Sequence, residues 1–208
     1  YDATGEHTGD VMDTSSSSHS DSDADASASL VVSAIRTGRE SAAAATFVDS
    51  KSVQGNIPTG LAFNTDGTKM FVTNVTNDDI DEYTLSTGFD VSTASYDSNF
   101  SVASQDGGPQ GIAFNTDGTK MFIGGKDNGK VFEYTLSTGF DVSTASFVDG
   151  FSISSQETHI SDLAFSTDGT KMFIVGTNST SVFEYNLSTG FDVSTACLLY
   201  TSDAADES

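Results

Sequence analysis

Leu61-Ala62-Phe63-Asn64-Thr65-Asp66-Gly67-Thr68-Lys69-Met70-Phe71 returns as Ile112-Ala113-Phe114-Asn115-Thr116-Asp117-Gly118-Thr119-Lys120-Met121-Phe122 and again as Leu163-Ala164-Phe165-Ser166-Thr167-Asp168-Gly169-Thr170-Lys171-Met172-Phe173, at a constant interval of 51 residues. In each copy two short apolar runs flank an Asp-Gly turn, and the glycine supplies the positive-φ position that a hairpin of a few loop residues needs. The stretch is an antiparallel hairpin said three times. A unit of roughly 40–50 residues with several strands cannot bury its apolar surface alone, so it stacks on copies of itself.

Working outward from the hairpin, Ile80-Asp81-Glu82-Tyr83-Thr84-Leu85 is a third strand, matched by Val131–Leu136 and Val182–Leu187. After Ser86-Thr87-Gly88-Phe89-Asp90 turns the chain, Ser95–Val102 is a fourth. Turns at roughly ten-residue spacing, no helical periodicity and two prolines make the chain all-β. The expected fold is a partial β-propeller of four-stranded antiparallel blades with a 51-residue repeat, the blades lying at about 58–108, 109–159 and 160–196. Phe132, Tyr134 and Leu136, with Phe183, Tyr185 and Leu187, are expected to line one apolar face of their sheets. Thr46-Phe47-Val48-Asp49 echoes Ser146-Phe147-Val148-Asp149, so residues 46–57 are expected to supply an outer strand ahead of the first full unit.

Residues 1–45 differ in kind. Ser15–Ser29 is almost wholly Ser, Asp and Ala, which cannot bury enough surface to offset chain entropy, so this segment is expected to be disordered. Asp21, Asp23 and Asp25 imitate the start of a calcium loop, but Ala26 and Val32 stand where an EF-hand needs Gly and Glu. At the other end, Cys197-Leu198-Leu199-Tyr200-Thr201-Ser202-Asp203-Ala204-Ala205-Asp206-Glu207 resembles the in-frame translation of a transposase mosaic-end sequencing adapter. On that reading residues 197–208 are a non-native tail, the single cysteine is foreign, the third blade loses its fourth strand, and the chain is an internal fragment from environmental DNA.

The formal charge is −22, and residues 46–196 alone hold 19 acidic residues against six lysines. That field repels phosphate backbones and anionic headgroups, which excludes nucleic acid as a partner. No apolar run approaches the ~20 residues that cross a bilayer, so no membrane insertion is expected. Strong acidity fits a protein working in salt water, where screening makes self-repulsion tolerable.

Three sets of repeated carboxylates invite a functional reading. Glu82, Glu133 and Glu184 occupy one place in the third strand; a ring of them could hold a central cation, but the expected role is to accept hydrogen bonds from a neighbouring blade. Asp66, Asp117 and Asp168 sit in Asp-Gly turns, and Asp90, Asp141 and Asp192 in Asx-turns with the Ser and Thr that follow. Loops that differ between repeats are better candidates for recognition. They are Asn77-Asp78-Asp79, Lys126-Asp127-Asn128 and Asn178-Ser179, together with Gln105-Asp106 and Gln156-Glu157, the latter followed by His159. No nucleophile elbow, zinc-binding helix signature or phosphate loop occurs, so no catalytic residue, cofactor or metal ligand is assigned; calcium at acidic loops is the one metal considered.

At Gly60-Leu61-Ala62-Phe63, Asp66-Gly67-Thr68-Lys69 and Phe71-Val72-Thr73-Asn74 the chain resembles YVTN-type and NHL-like β-propeller repeats, although repeats two and three have Ile123-Gly124-Gly125 and Ile174-Val175-Gly176 at the tetrapeptide. The resemblance implies a non-enzymatic binding, adhesion or scaffold module of a secreted, cell-surface or virion protein, with a protein or glycan partner. The alternatives are a metal-dependent lactonase-type hydrolase and a structural spacer. Three repeats leave an arc open, so self-association through open blade edges is expected as well.

Overall fold

The computed structural model describes residues 46–198, so the expected disordered segment and the tail beyond Leu198 lie outside the described residues. It contains three four-stranded antiparallel sheets, each a simple meander. The first is β1 (Pro58–Phe63), β2 (Lys69–Asn74), β3 (Asp79–Leu85) and β4 (Ala94–Ser101). The second is β5 (Pro109–Phe114), β6 (Lys120–Gly125), β7 (Lys130–Leu136) and β8 (Ala145–Ser152). The third is β9 (Ile160–Phe165), β10 (Lys171–Gly176), β11 (Val182–Leu187) and β12 (Ala196–Leu198). The fourth strand of the third sheet is thus present, three residues long, with Cys197 paired to Asn186. Pairing uses backbone groups, so a foreign sequence can supply it as readily as a native one. Thr46–Asp49, by contrast, forms no strand, because no third strand of a preceding sheet stands beside it among the described residues.

β1 packs against β5 and β5 against β9, which places the first strand of each sheet on the inside of the arc. Apolar residues from facing sheets fill each junction. Phe71 and Ile80 of the first sheet meet Ile112, Met121, Ile123, Phe132 and Tyr134 of the second, and Phe122 and Val131 repeat the contact against Leu163, Met172, Ile174 and Tyr185. Each such side chain removed from water contributes about 1.5–3 kcal/mol. An aromatic triad marks both junctions: Phe71 stands 4.5 Å from Phe114 and 6.3 Å from Phe140, and Phe122 stands 4.4 Å from Phe165 and 6.2 Å from Phe191.

The last phenylalanine of each turn has an unusual backbone. Phe89, Phe140 and Phe191 have φ of 62°, 59° and 60°, a left-handed conformation disfavoured for a bulky side chain. A methyl on Gly67, Gly118 or Gly169 would strike the corresponding phenylalanine ring. The ring lies flat on the glycine of the opposite turn, and that packing holds the strained residue.

A polar clamp joins the blades beside the triad. Glu82 Oε1 receives Lys69 Nζ at 2.5 Å while its Oε2 accepts the Val142 N–H of the next blade at 2.8 Å. Lys69 Nζ also donates to the Phe140 carbonyl at 2.8 Å. Lys120, Glu133, Val193 and Phe191 repeat the set, at 2.6 Å for the ion pair, 2.9 Å to the Val193 N–H and 2.6 Å to the Phe191 carbonyl. The glutamates therefore face the neighbouring blade's 3-10 turns, Val142–Thr144 and Val193–Thr195. Each carboxylate oxygen of Glu82 and Glu133 is spent on the junction.

Candidate functional site

The meander sorts the connections by end. The β1–β2 and β3–β4 turns, which are nearly identical in every repeat, share one end of each sheet; the β2–β3 turns and the connections between sheets share the other. At the repeated end Asp66 Oδ1 accepts the Thr68 N–H at 3.0 Å and the Thr68 hydroxyl at 2.6 Å, and Asp117 does the same with Thr119. Asp168 adds the Ser166 hydroxyl at 2.7 Å. Hydrogen bonds from these hydroxyls and N–H groups hold all three carboxyls below the ordinary aspartate range, Asp168 at about 2. Asp90, Asp141 and Asp192 cap the 3-10 turns by accepting from Ser92, Ser143 and Ser194. The repeated aspartates build turns.

The variable end holds all of the candidate recognition residues. In the second blade Asn128 is exposed and its Nδ2 donates to the Gln105 carbonyl at 2.8 Å and to Asp106 Oδ2 at 3.4 Å. Lys126 is half-buried with its N–H on the Gly108 carbonyl, and Asp127 is exposed. In the third blade Asn178, also exposed, donates to Thr158 Oγ1 at 2.6 Å. Ser179 N–H reaches Glu157 Oε2 at 3.1 Å, and His159 is exposed with its N–H on Glu157 Oε1 at 2.9 Å. In the first blade Asn77 is exposed, Asp78 is half-buried at φ 54°, and Asp79 is buried.

Asp79, Asp106 and Glu157 are thus enclosed and are not surface contacts. Burial raises the Asp106 carboxyl, with the Gly108 N–H opposing it. Burial also works to raise Glu157, but the N–H groups of His159, Asn178, Thr158 and Ser179 outweigh it, leaving the group below the usual glutamate range. Gln105 and Gln156 accept from the Tyr134 and Tyr185 hydroxyls, at 3.3 and 3.4 Å.

Asp106 reaches over Gly125, and Glu157 over Gly176, where a methyl group would collide with either carboxylate. The first blade inverts this arrangement: the small residue is Gly55 in the connector and the large one is Asn74 on the strand. Sequence reasoning missed Asn74 and its neighbour Asp81, yet a signal existed, because Asp81 interrupts a position that is Phe132 and Phe183 in the other repeats. Asp81 is 1% exposed, and burial, with Asp79 beside it, pushes its carboxyl up to about 6.

What faces outward at the variable end is a set of three amides, one carboxylate and one imidazole on the hairpins and a connection between sheets: Asn77, Asp127, Asn128, His159 and Asn178. They offer both donors and acceptors. Among the described residues no three His, Cys, Asp or Glu side chains lie together in a way that could hold a metal ion.

No family model matches the sequence, and no curated protein matches it. Solved structures do. A protein from Lactobacillus plantarum aligns over 68% of this chain and 40% of its own length, with TM-score 0.53 and 16% identity. A candidate 6-phosphogluconolactonase of Bacteroides fragilis aligns over 68% and 42%, with TM-score 0.51 and 16% identity, and one of Bacteroides uniformis over 68% and 39%, with TM-score 0.50 and 14% identity. The fold is that of a β-propeller. The described blades form three successive units of it, and the chain spans about two fifths of the length of these propellers. At such identity the likeness establishes the fold alone. No described helix is long and apolar enough to cross a membrane.

Proposed function

We propose that this protein is a non-enzymatic binding or scaffold module that engages a polar partner, a protein or a glycan, through the variable end of its blades. One observation supports the reading. The acidic groups common to the repeats serve the structure, Glu82 and Glu133 in clamps and Asp66, Asp117 and Asp168 in turns, whereas unlike side chains are displayed where the loops differ. A uniform scaffold with varied hairpins suits recognition, since strands fix the loop ends while the loop residues carry specificity. The strongly acidic surface and polar loops suit a site outside the cell, in a secreted, surface or virion protein.

The test is an immobilised glycan array probed with the whole chain, beside Asn128→Ala and Asn178→Ala. Retention on a defined glycan class that falls at least about tenfold in either variant, at unchanged melting temperature, is the expected result. Turnover of a sugar lactone in the presence of a divalent metal would make the protein an enzyme and overturn the proposal.

A further inference from the structure

Blade one carries a polar quartet at positions where the other blades are mostly small or apolar. On β3, Asp79 and Asp81 are two residues apart and so share a face; Asn74 of β2 pairs opposite Asp79, and Asn99 of β4 opposite Asp81. The same positions in blade two are Gly125, Lys130, Phe132 and Gly150. There the Phe132 ring fills the space over Gly150, where a methyl would stand 3.0 Å from it. In blade one a carboxylate and an amide replace ring and glycine together.

The substitution leaves two anions out of water. Asp79 is 4% exposed and Asp81 1%. Asn99 Nδ2 donates to Asp79 Oδ2 at 2.6 Å, but no donor reaches Asp79 Oδ1 or Asp81 Oδ2. Among the described residues neither carboxylate pairs with a lysine, since Lys69 is turned to Glu82 on the opposite face. Adjacent buried carboxylates without counter-charge are strongly disfavoured.

We propose that blade one binds a hard divalent cation of the calcium class, with Asp79 Oδ1 and Asp81 Oδ2 as ligands and the Asn74 and Asn99 amides beside them. The donor set is carboxylate oxygen, because Asn74 Oδ1 accepts the Thr76 N–H at 3.0 Å and Asn99 turns its Nδ2 to Asp79; it lacks the imidazole nitrogen or sulfur that would favour zinc or copper. Two carboxylates place it in the weak class, with a dissociation constant of about 10⁻⁴ to 10⁻³ M. The Gln54–Gly55 connector lies directly over this face: the Gln54 N–H donates to the Tyr83 hydroxyl at 2.6 Å, and Gly55 sits against Asn74. A bound cation fastens that connector to the sheet.

The whole 208-residue chain, titrated with calcium chloride alone by calorimetry and melted in EDTA or calcium, decides the matter. A single binding event is expected, with a melting temperature raised by about 3–6 °C at roughly ten times the dissociation constant. Asp81→Asn should weaken binding at least about tenfold. Asp81→Phe with Asn99→Gly, which copies blade two, should fold and lose both heat and shift. A wild-type chain unaffected by about 10 mM calcium overturns the proposal. So does a shift of equal size in both variants, which traces to screening of the −22 charge.

Discussion

Glu133 and Glu184 stand at the same place in successive repeats and meet different surroundings. Glu133 is enclosed between Lys120 and the Val193 N–H, whereas the Glu184 side chain, paired with Lys171, remains 40% exposed. Removing one partner of an enclosed pair strands the other charge and an N–H group, while an exposed pair is screened. Glu133→Ala should therefore cost about 2–4 kcal/mol and Glu184→Ala under about 1 kcal/mol, read from urea unfolding midpoints. The turn aspartates govern the acid limb. Their carboxyls titrate lower folded than unfolded, so their contribution is complete above about pH 4 and fades as pH falls through the folded values, toward about 2 for Asp168. Asp168→Asn should flatten the loss of melting temperature between about pH 4 and pH 2. An acid limb unchanged in that variant would show that the turn carboxylate does not govern it.

Whole elements depend on pairs of residues rather than on single ones. Asp106 in the connector and Gly125 at the end of β6 exchange large and small with Gly55 and Asn74 in blade one. Gly125→Asn alone puts an amide where the Asp106 carboxylate lies, and Asp106→Gly alone leaves the Gly108 N–H without its acceptor, which is 2.8 Å away. The double variant copies blade one and should recover at least about 1 kcal/mol relative to the sum of the single changes. Additive effects in that cycle would show that the exchange is accidental. The β7–β8 turn makes a second case. Phe140 is locked into the triad with Phe71 and Phe114, while Phe89 is exposed and touches only Phe63 among the aromatic rings of the described residues. Phe140→Ala should destabilise by about 2 kcal/mol and Phe89→Ala by much less, because both keep the Cβ that makes the left-handed backbone costly but only one opens a junction.

At the scale of the molecule, the two outermost sheet faces lack the partner that the inner faces have. Val175 and Val182 on blade three are exposed, as is Leu61 on blade one, whereas their counterparts at the junctions are buried. Leu61 lies beside an apolar cleft of about 300 Å³ that is lined also by Val53, Pro58, Met70 and Val72. Face-to-face association of chains is the expected consequence, and sedimentation velocity should show a concentration-dependent species that Val182→Lys suppresses. Unchanged sedimentation in that variant would mean that association, if present, uses another surface.

The repeated hairpin, with its apolar runs on either side of Asp-Gly, was sufficient to place β1 and β2 and their copies, since alternation and turn chemistry are local properties of the chain. Ile80–Leu85 and Ser95–Val102 marked β3 and β4 to within a residue or so for the same reason. The variable loops were legible only as differences between repeats; which of their side chains face water was not, and Asp79, Asp106 and Glu157 proved to be enclosed. The clamp was half visible, as a repeated glutamate without its lysine or its acceptor turn. Lys69 meets Glu82 across the paired strands β2 and β3 of one sheet, but Val142, 60 positions away, meets it only when sheets stack. Local pattern determined the strands, their order in each blade and the repeat. Tertiary structure decided which carboxylates are enclosed between blades and which are buried without a donor, because those depend on contacts between segments that sequence proximity does not relate.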